Sequence, residues 1–178
     1  IVGFDYQNQA VVAEELDADW NEVKLEWVGA ARACGNPGNR GEQATTASQS
    51  VRGLWKPLRQ AGGAARAMLV TAAAKTWGVP EESLTTDKGV VLHASSNRRL
   101  RYGELVGMAA TLPVPKQVTL KDPKSFKLMG QSVPRRDLAG KVDGSAIFGM
   151  DIRLPNMLVA RIMRCPVVKG KVASFNGE

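Results

Sequence analysis

The sequence predicts an α+β protein built from helices and short strands. A long segment from Val51 to Trp77 repeats apolar residues at spacings of three and four, which places them on one helical face. Residues 84–93 instead flank the turn sequence Asp87-Lys-Gly89, as the strands of a hairpin do. With 178 residues, 44% of them hydrophobic, the chain can bury a core as one domain or as two small ones.

The first 41 residues predict a helix, a turn, a strand and a loop in that order. Residues 6–16 form the helix, 17–21 the turn, and 22–28 the half-buried strand, because polar and apolar residues alternate there. Residues 29–41 form a loop with a turn at Gly35–Gly38. The small residues of this loop indicate that it lies against another segment or a ligand, unless it is an ordinary surface loop. The apolar face of the helix contains Ala10, Val11, Ala13 and Leu16.

The long segment contains residues that oppose a helix. Pro57 costs about 3 kcal/mol inside a helix, and Gly62 and Gly63 about 1 kcal/mol each. We therefore expect a kink near Pro57, or a short turn followed by a helix that starts there. Gly78-Val-Pro80 ends the helix. The apolar face of this helix has no evident partner in so short a chain. It consists of Val51, Leu54, Leu58, Ala61, Ala65, Met68 and Ala72.

The second half of the chain predicts smaller elements and a connector. Pro113–Pro134 is rich in Pro and Lys, so we expect an extended connector that wraps over a surface, with a boundary between structural units near Arg136 to Lys141. The other predicted elements are a turn at 95–97, a strand at 99–102, a helix at 102–110 and two strands at Ser145–Ile152 and Met157–Met163.

Charge and cysteine content exclude some functions. The net charge is +7, but the basic residues are scattered and lack an aromatic ladder or a helix-turn-helix pattern. We therefore expect no nucleic-acid partner, and a basic surface that is solvated or binds an acidic partner. Cys34 and Cys165 are better interpreted as free thiols than as a disulfide, and with His93 as the sole histidine no metal site is expected from this chain alone.

Residues 43–53 are the best candidate for a binding segment. They combine hydroxyl groups and small side chains just before the predicted helix, where free backbone N–H groups attract an anion such as a phosphate. The alternative is that Ser48 or Ser50 is only an N-cap, and one serine can also do both.

Several passages, taken together, resemble the large, molybdenum-cofactor-binding subunit of the xanthine oxidase family, of the isoquinoline 1-oxidoreductase or aldehyde dehydrogenase type. The resemblance runs in order along nearly the whole chain. It is carried by residues 12–20, 45–52, 78–80, 99–105, 121–126 and 140–158.

The resemblance implies a domain organisation and a reaction. Residues 1–92 would be part of the molybdenum-cofactor-binding domain, 93–138 a helix and extended connector, and 139–178 the start of a truncated α/β hammerhead domain. The family hydroxylates an aldehyde or an N-heterocycle with water-derived oxygen. Its general-base glutamate lies in a carboxy-terminal motif that these 178 residues do not contain. The spacing of the other glutamates does not indicate a substitute base among Glu14, Glu15, Glu22 and Glu26. No catalytic and no metal-binding residue is assigned.

The resemblance also implies a cofactor and partners. The cofactor is molybdenum-molybdopterin cytosine dinucleotide, bound together with the remainder of the large subunit. A small subunit carries 2Fe–2S clusters, and a cytochrome c subunit is a further partner. The expected location is the periplasm or the periplasmic face of the inner membrane, with the cytoplasm as the alternative. The alternative function is a non-catalytic nucleotide- or protein-binding module with a basic face.

Seven residues are assigned to the cofactor by this resemblance. Family members carry Gly-Gln ahead of the first of them, where this chain has Ile1-Val2, and that difference puts an amino-terminal contact in doubt. The seven are Gly3, Gln43, Thr45, Thr46, Ala47, Ser48 and Ser50.

Overall fold

The structure is a computed structural model that describes residues 6–24, 34–135 and 137–176. The chain separates into two compact units, Ile1–Leu138 and Ala139–Glu178. Leu25–Val28, which carry most of the strand predicted after the first helix, lie outside the described residues, while Glu22 lies in a 3-10 turn at Trp20–Glu22. Among the helices in the described ranges, none is long and apolar enough to cross a membrane.

Two helices form the centre of the first unit. Helix α1 spans Tyr6–Leu16, as predicted, and helix α2 spans Gln49–Trp77. Helix α2 runs through Pro57 as one helix, so the predicted alternative of a helix that starts at Pro57 is wrong. A proline inside a helix removes one backbone hydrogen bond and crowds the carbonyl group four residues earlier, and the packing of α2 along its length outweighs that cost. Gly78 ends the helix in the left-handed conformation, as predicted.

The glycine pair in α2 allows close packing against its neighbours. A Cβ atom on Gly62 would lie 2.8 Å from the carbonyl oxygen of Val12 in α1, and one on Gly63 would lie 3.3 Å from the side chain of Val118. The predicted apolar face of α2 is therefore only partly correct. Gly62, Gly63 and Arg59 are buried, whereas Ala61 is exposed, because the glycines and not the larger side chains set the approach of α1.

Three short strands form one antiparallel sheet in the order β1-β2-β3. Strand β1 is Leu84–Asp87, β2 is Val90–His93 and β3 is Arg98–Arg101. The two-residue loop Lys88–Gly89 has φ values of 46° and 77°, as a type I′ hairpin requires. The predicted hairpin is confirmed, and the register pairs Thr86 with Val91 and Val91 with Leu100.

Helix α3, Tyr102–Ala109, packs with the sheet against the second half of α2. Glu104 caps α3 by accepting the backbone N–H of Arg101 at 2.7 Å. The resulting core contains Leu69, Ala72, Ala73, Ala74, Leu84, Val91, Leu105 and Ala109. This core fixes the second half of α2 and leaves its first half for contacts with α1 and with residues 34–42.

The connector from Pro113 to Pro134 has little regular structure, as predicted. Its only helical turn in the described part of the chain is the 3-10 turn at Pro123–Ser125. Arg59 of α2 holds it by donating from Nη2 to the carbonyl oxygen of Lys121 at 2.5 Å. The guanidinium of Arg59 also lies over the rings of Trp55 and Phe126, at 5.5 and 5.1 Å from their centroids.

The short helix α4, Leu138–Val142, begins one residue before the second unit, which contains the rest of this helix and a 3-10 turn at Gly149–Asp151. The two predicted strands, Ser145–Ile152 and Met157–Met163, are wrong, because residues 137–176 contain no strand. A strand needs a neighbour to pair its backbone groups, and no described residue of this unit supplies one. Apolar side chains there remain exposed, and Leu158 and Met163 keep 94% and 98% of their surface accessible.

The two cysteines form no disulfide, and the histidine is held by hydrogen bonds. Cys34 and Cys165 are free thiols, as predicted. The buried ring of His93 hydrogen-bonds to the hydroxyls of Ser96, at 2.6 Å, and Ser95, at 2.9 Å. It also packs against Trp77, with the ring centroids 6.2 Å apart.

Candidate functional site at the start of helix α2

A tight turn leads the chain into α2. The backbone N–H of Gln49 donates to the carbonyl oxygen of Thr46 at 2.9 Å. Ala47 and Ser48 both adopt the left-handed region, with φ values of 48° and 54°. Residues other than glycine are held there at a cost of about 1–3 kcal/mol each. The turn leaves the side chains of Thr45, Thr46 and Ser48 exposed beside the helix start.

The first turn of α2 lacks a side-chain cap. Ser48 occupies the N-cap position, but its hydroxyl makes no capping hydrogen bond, and Ser50 is buried within the first turn. The predicted N-cap position of Ser48 is therefore confirmed, but its side chain does not cap the helix. Because the first N–H groups of a helix have no acceptor within the helix, this end of α2 presents donors and a partial positive charge.

Residues 34–42 brace this end of α2. Asn36 is buried, donates from Nδ2 to the carbonyl oxygen of Gln49 at 2.8 Å, and accepts the backbone N–H of Gly38 at 2.9 Å. A Cβ atom on Gly53 would collide with Asn36 Oδ1 and lie 2.9 Å from Gly38 Cα. The loop thus lies against another protein segment, which is one of the alternatives that its composition indicated. Its predicted turn appears as a 3-10 turn at Pro37–Asn39.

Helix α1 reaches the same end of the structure. Arg59 Nε contacts Glu15 Oε1 at 2.6 Å, and Arg66, two turns further along α2, lies beside Asp17 just after α1. The two helices therefore run in the same direction, and their positive amino-terminal ends lie at one end of the unit. A cleft of about 530 Å³ lies there between α1, α2 and the connector; it is lined by Gln7, Ala10, Val11, Val51, Trp55 and Leu128–Val133.

This arrangement suits the binding of an anion. Gln43 to Ser50 carry only amide, hydroxyl and methyl side chains, none of which titrates near neutral pH, and the amide and hydroxyl groups can donate hydrogen bonds. Arg52 and Lys56 are exposed on the first two turns of α2 and add positive charge. The segment can therefore hold a negatively charged group but offers no side chain for proton transfer.

The structure places six of the seven predicted site residues in one segment. Gln43, Thr45–Ser48 and Ser50 precede and open α2, whereas Gly3 lies outside the described residues. Sequence reasoning missed the supporting residues Asn36, Gly38 and Gly53. A glycine inside a predicted helix usually marks close approach of another segment, and Gly53 carried that signal.

Comparison with known proteins adds a functional context. No protein-family model matches the chain. The beta subunit of isoquinoline 1-oxidoreductase from Brevundimonas diminuta is 37% identical over an alignment of 190 residues. The alignment covers 88% of this chain and 24% of that protein. A nicotinate dehydrogenase subunit from Pseudomonas putida is 36% identical over 169 residues, which cover 94% of this chain and 14% of that protein.

The name of a third relative includes a cofactor. The membrane-bound aldehyde dehydrogenase (pyrroloquinoline-quinone) of Gluconacetobacter polyoxogenes is 28% identical over 173 residues, which cover 93% of this chain and 21% of that protein. All three relatives are oxidoreductases by name. Two of them are named as subunits. The chain spans about a quarter or less of the length of these relatives.

Proposed function

We propose that this chain is part of the large subunit of a molybdenum hydroxylase that oxidises an aldehyde or an N-heterocycle. The observation that carries the proposal is the similarity of nearly the whole chain to oxidoreductases named for isoquinoline, nicotinate and aldehyde. Two of these relatives are named as subunits, which supports a heteromeric complex. The partners that we propose for it are an iron–sulfur subunit and a cytochrome c subunit. The proposed location is the periplasm, which fractionation of the source cells tests.

The proposed role of the described residues is to hold the dinucleotide tail of the cofactor. The exposed hydroxyls of Thr45, Thr46 and Ser48 and the uncapped first turn of α2 fit the phosphate groups of molybdopterin cytosine dinucleotide. The second helix end, that of α1, adds to the positive potential. The bound cofactor supplies the oxidising metal centre, and the residues of this segment bind and orient its tail.

Analysis of the purified full-length protein tests this proposal. We expect stoichiometric molybdenum by elemental analysis and a cytosine nucleotide released by acid. Pyrroloquinoline quinone without molybdenum would overturn the choice of cofactor, since one relative is named for that quinone. Absence of both groups would favour the non-catalytic binding module.

A matched pair of serine variants tests the site itself. Ser48→Ala removes an exposed hydroxyl at the start of α2, and Ser83→Ala removes an exposed hydroxyl from the turn that follows the carboxyl end of α2. We expect a lower content of cytosine nucleotide per protein chain only for Ser48→Ala. Equal nucleotide contents in the two variants would contradict the role of Ser48.

A further inference from the structure

The carboxyl end of α1 buries acidic side chains where a surface helix usually exposes them. The side chains of Glu14 and Glu15 are 1% and 0% exposed, and that of Asp17 is 7% exposed. Carboxylates are almost never fully buried unless they are paired. The partners here come from the connector and from α2.

Glu14 binds the connector through both carboxylate oxygens. Oε2 accepts three consecutive backbone N–H groups, from Lys127 at 2.8 Å, Leu128 at 2.6 Å and Met129 at 3.2 Å. Oε1 accepts Lys121 Nζ at 2.9 Å. A carboxylate in such a nest of N–H groups substitutes for the secondary structure that residues 127–129 lack.

Neighbouring contacts extend the same attachment. Glu15 Oε2 accepts the backbone N–H of Lys121 at 3.1 Å, while its Oε1 pairs with Arg59. Asp17 Oδ1 accepts Lys121 Nζ at 2.5 Å, and its Oδ2 accepts the hydroxyl of Thr86. The charged groups around Glu14 are Lys121 and Lys127 of the connector, Arg59 and Arg66 of α2, Glu15 of α1, Asp17 just after α1, and Asp87 of β1.

We propose that residues 119–129 are a charge-dependent latch, which ionised Glu14 holds on α1 and α2 and which neutral Glu14 releases. The latch fixes Leu128–Val133, and these residues form one wall of the cleft beside the two helix ends. Release of the latch therefore opens that cleft. The proposal stands on the contacts of Glu14 and does not depend on the identity of any cofactor.

The charges determine the direction of the pH response. Burial by itself would raise the pKa of Glu14, but the N–H groups of Leu128 and Met129 and the Lys121 ammonium outweigh it and hold the pKa below the ordinary 4.5. Burial also opposes ionisation of Asp17, yet Lys121 and Thr86 lower its pKa below the ordinary 3.8. Because both pKa values are depressed in the folded state, the latch is fully held above pH 4.5 and is lost as the pH falls through the folded pKa values.

Hydrogen exchange of the full-length protein tests the latch directly. In Glu14→Gln the negative charge is lost and one carboxylate oxygen is replaced by an NH2 group, which can only donate. Whichever way the amide turns, this NH2 group faces either the backbone N–H groups of residues 127–129 or the Lys121 ammonium. We expect the amides of residues 127–129 to exchange at least about tenfold faster than in the wild type, because hydrogen bonds to a charged group are lost. Trypsin should also cut faster at Lys121, Lys124 and Lys127.

The control is Glu22→Gln, which neutralises an exposed glutamate in the turn after α1. We expect wild-type exchange in this variant. Unchanged exchange at residues 127–129 in Glu14→Gln would overturn the proposal.

A measurement on the wild type covers the case in which Glu14→Gln does not fold. After correction for intrinsic rates, protection at residues 127–129 should stay constant down to pH 4.5 and fall at lower pH, while protection of the buried strand residue Val91 persists. Loss of both together would show global unfolding without a separate latch and would overturn the proposal.

Discussion

Replacement of Gly62 by alanine tests how α1 and α2 pack. The new Cβ atom would lie 2.8 Å from both the Val12 carbonyl oxygen and the Glu15 Cβ atom, closer than real Cβ atoms approach other atoms. Neither neighbour is the free end of a flexible side chain, so α1 itself must move. Such overpacking costs about 1–3 kcal/mol, and movement of α1 also disturbs the 2.6 Å ion pair between Glu15 and Arg59.

The expected net effect combines two opposing contributions. We take about 3 kcal/mol for the steric cost, because the ion pair is disturbed as well. Alanine is the better helix former by about 1 kcal/mol, which leaves a net loss of about 2 kcal/mol in the free energy of unfolding. Chemical denaturation followed by tryptophan fluorescence, with hydrogen exchange of α1, measures this loss.

Gly107→Ala in α3 is the matched control. Gly107 is exposed, and a Cβ atom there would meet nothing within 4 Å, so only the gain in helix propensity remains. We expect this variant to be more stable than the wild type by about 0.5–1 kcal/mol. If Gly62→Ala stabilises the protein to the same extent, the close packing of α1 on Gly62 is refuted.

Two further predictions concern buried charge and exposed apolar surface. Arg59→Leu removes the 2.6 Å ion-pair partner of the fully buried carboxylate of Glu15 and leaves the Arg66 guanidinium, at 3.9 Å, to pair with it. We expect a loss of about 3 kcal/mol in the same denaturation experiment, and a loss below about 1 kcal/mol would contradict the role of the Arg59 ion pair. The 178-residue chain expressed alone should self-associate in analytical ultracentrifugation, because the second unit exposes side chains such as Leu158 and Met163. A monodisperse monomer would disprove this prediction, and a chain that ends at Leu138 should associate less.

Local patterns were sufficient for most elements of the first unit. The hairpin followed from its turn, because Lys88-Gly89 accepts the positive φ values of a two-residue loop. The end of α2 followed from Gly78, and the lack of regular structure in the connector followed from its prolines. These features depend on the backbone preferences of a few neighbouring residues, so a short stretch of sequence is enough to predict them.

Features that depend on distant partners were predicted poorly. The apolar surface without a partner was expected on α2, but much of it lies in the second unit. The strands at Ser145–Ile152 and Met157–Met163 have suitable side chains but no neighbouring strand in the described residues. A strand forms only when another segment completes its hydrogen bonds, and a local pattern does not contain that information.

The side-chain chemistry of the candidate site could be predicted from the sequence. Hydroxyl groups and small residues before a helix predicted an anion-binding segment at Gln43–Gly53, and its position at the start of α2 follows from the apolar spacing of residues 51–77. The surroundings of that segment depend on contacts between distant parts of the chain. Asn36 braces it, α1 adds a second helix end, and Glu14 fixes the connector beside it. The physical reason is that side-chain chemistry is local, whereas the burial of Glu14 and the close approach at Gly62 arise only when separate segments pack together.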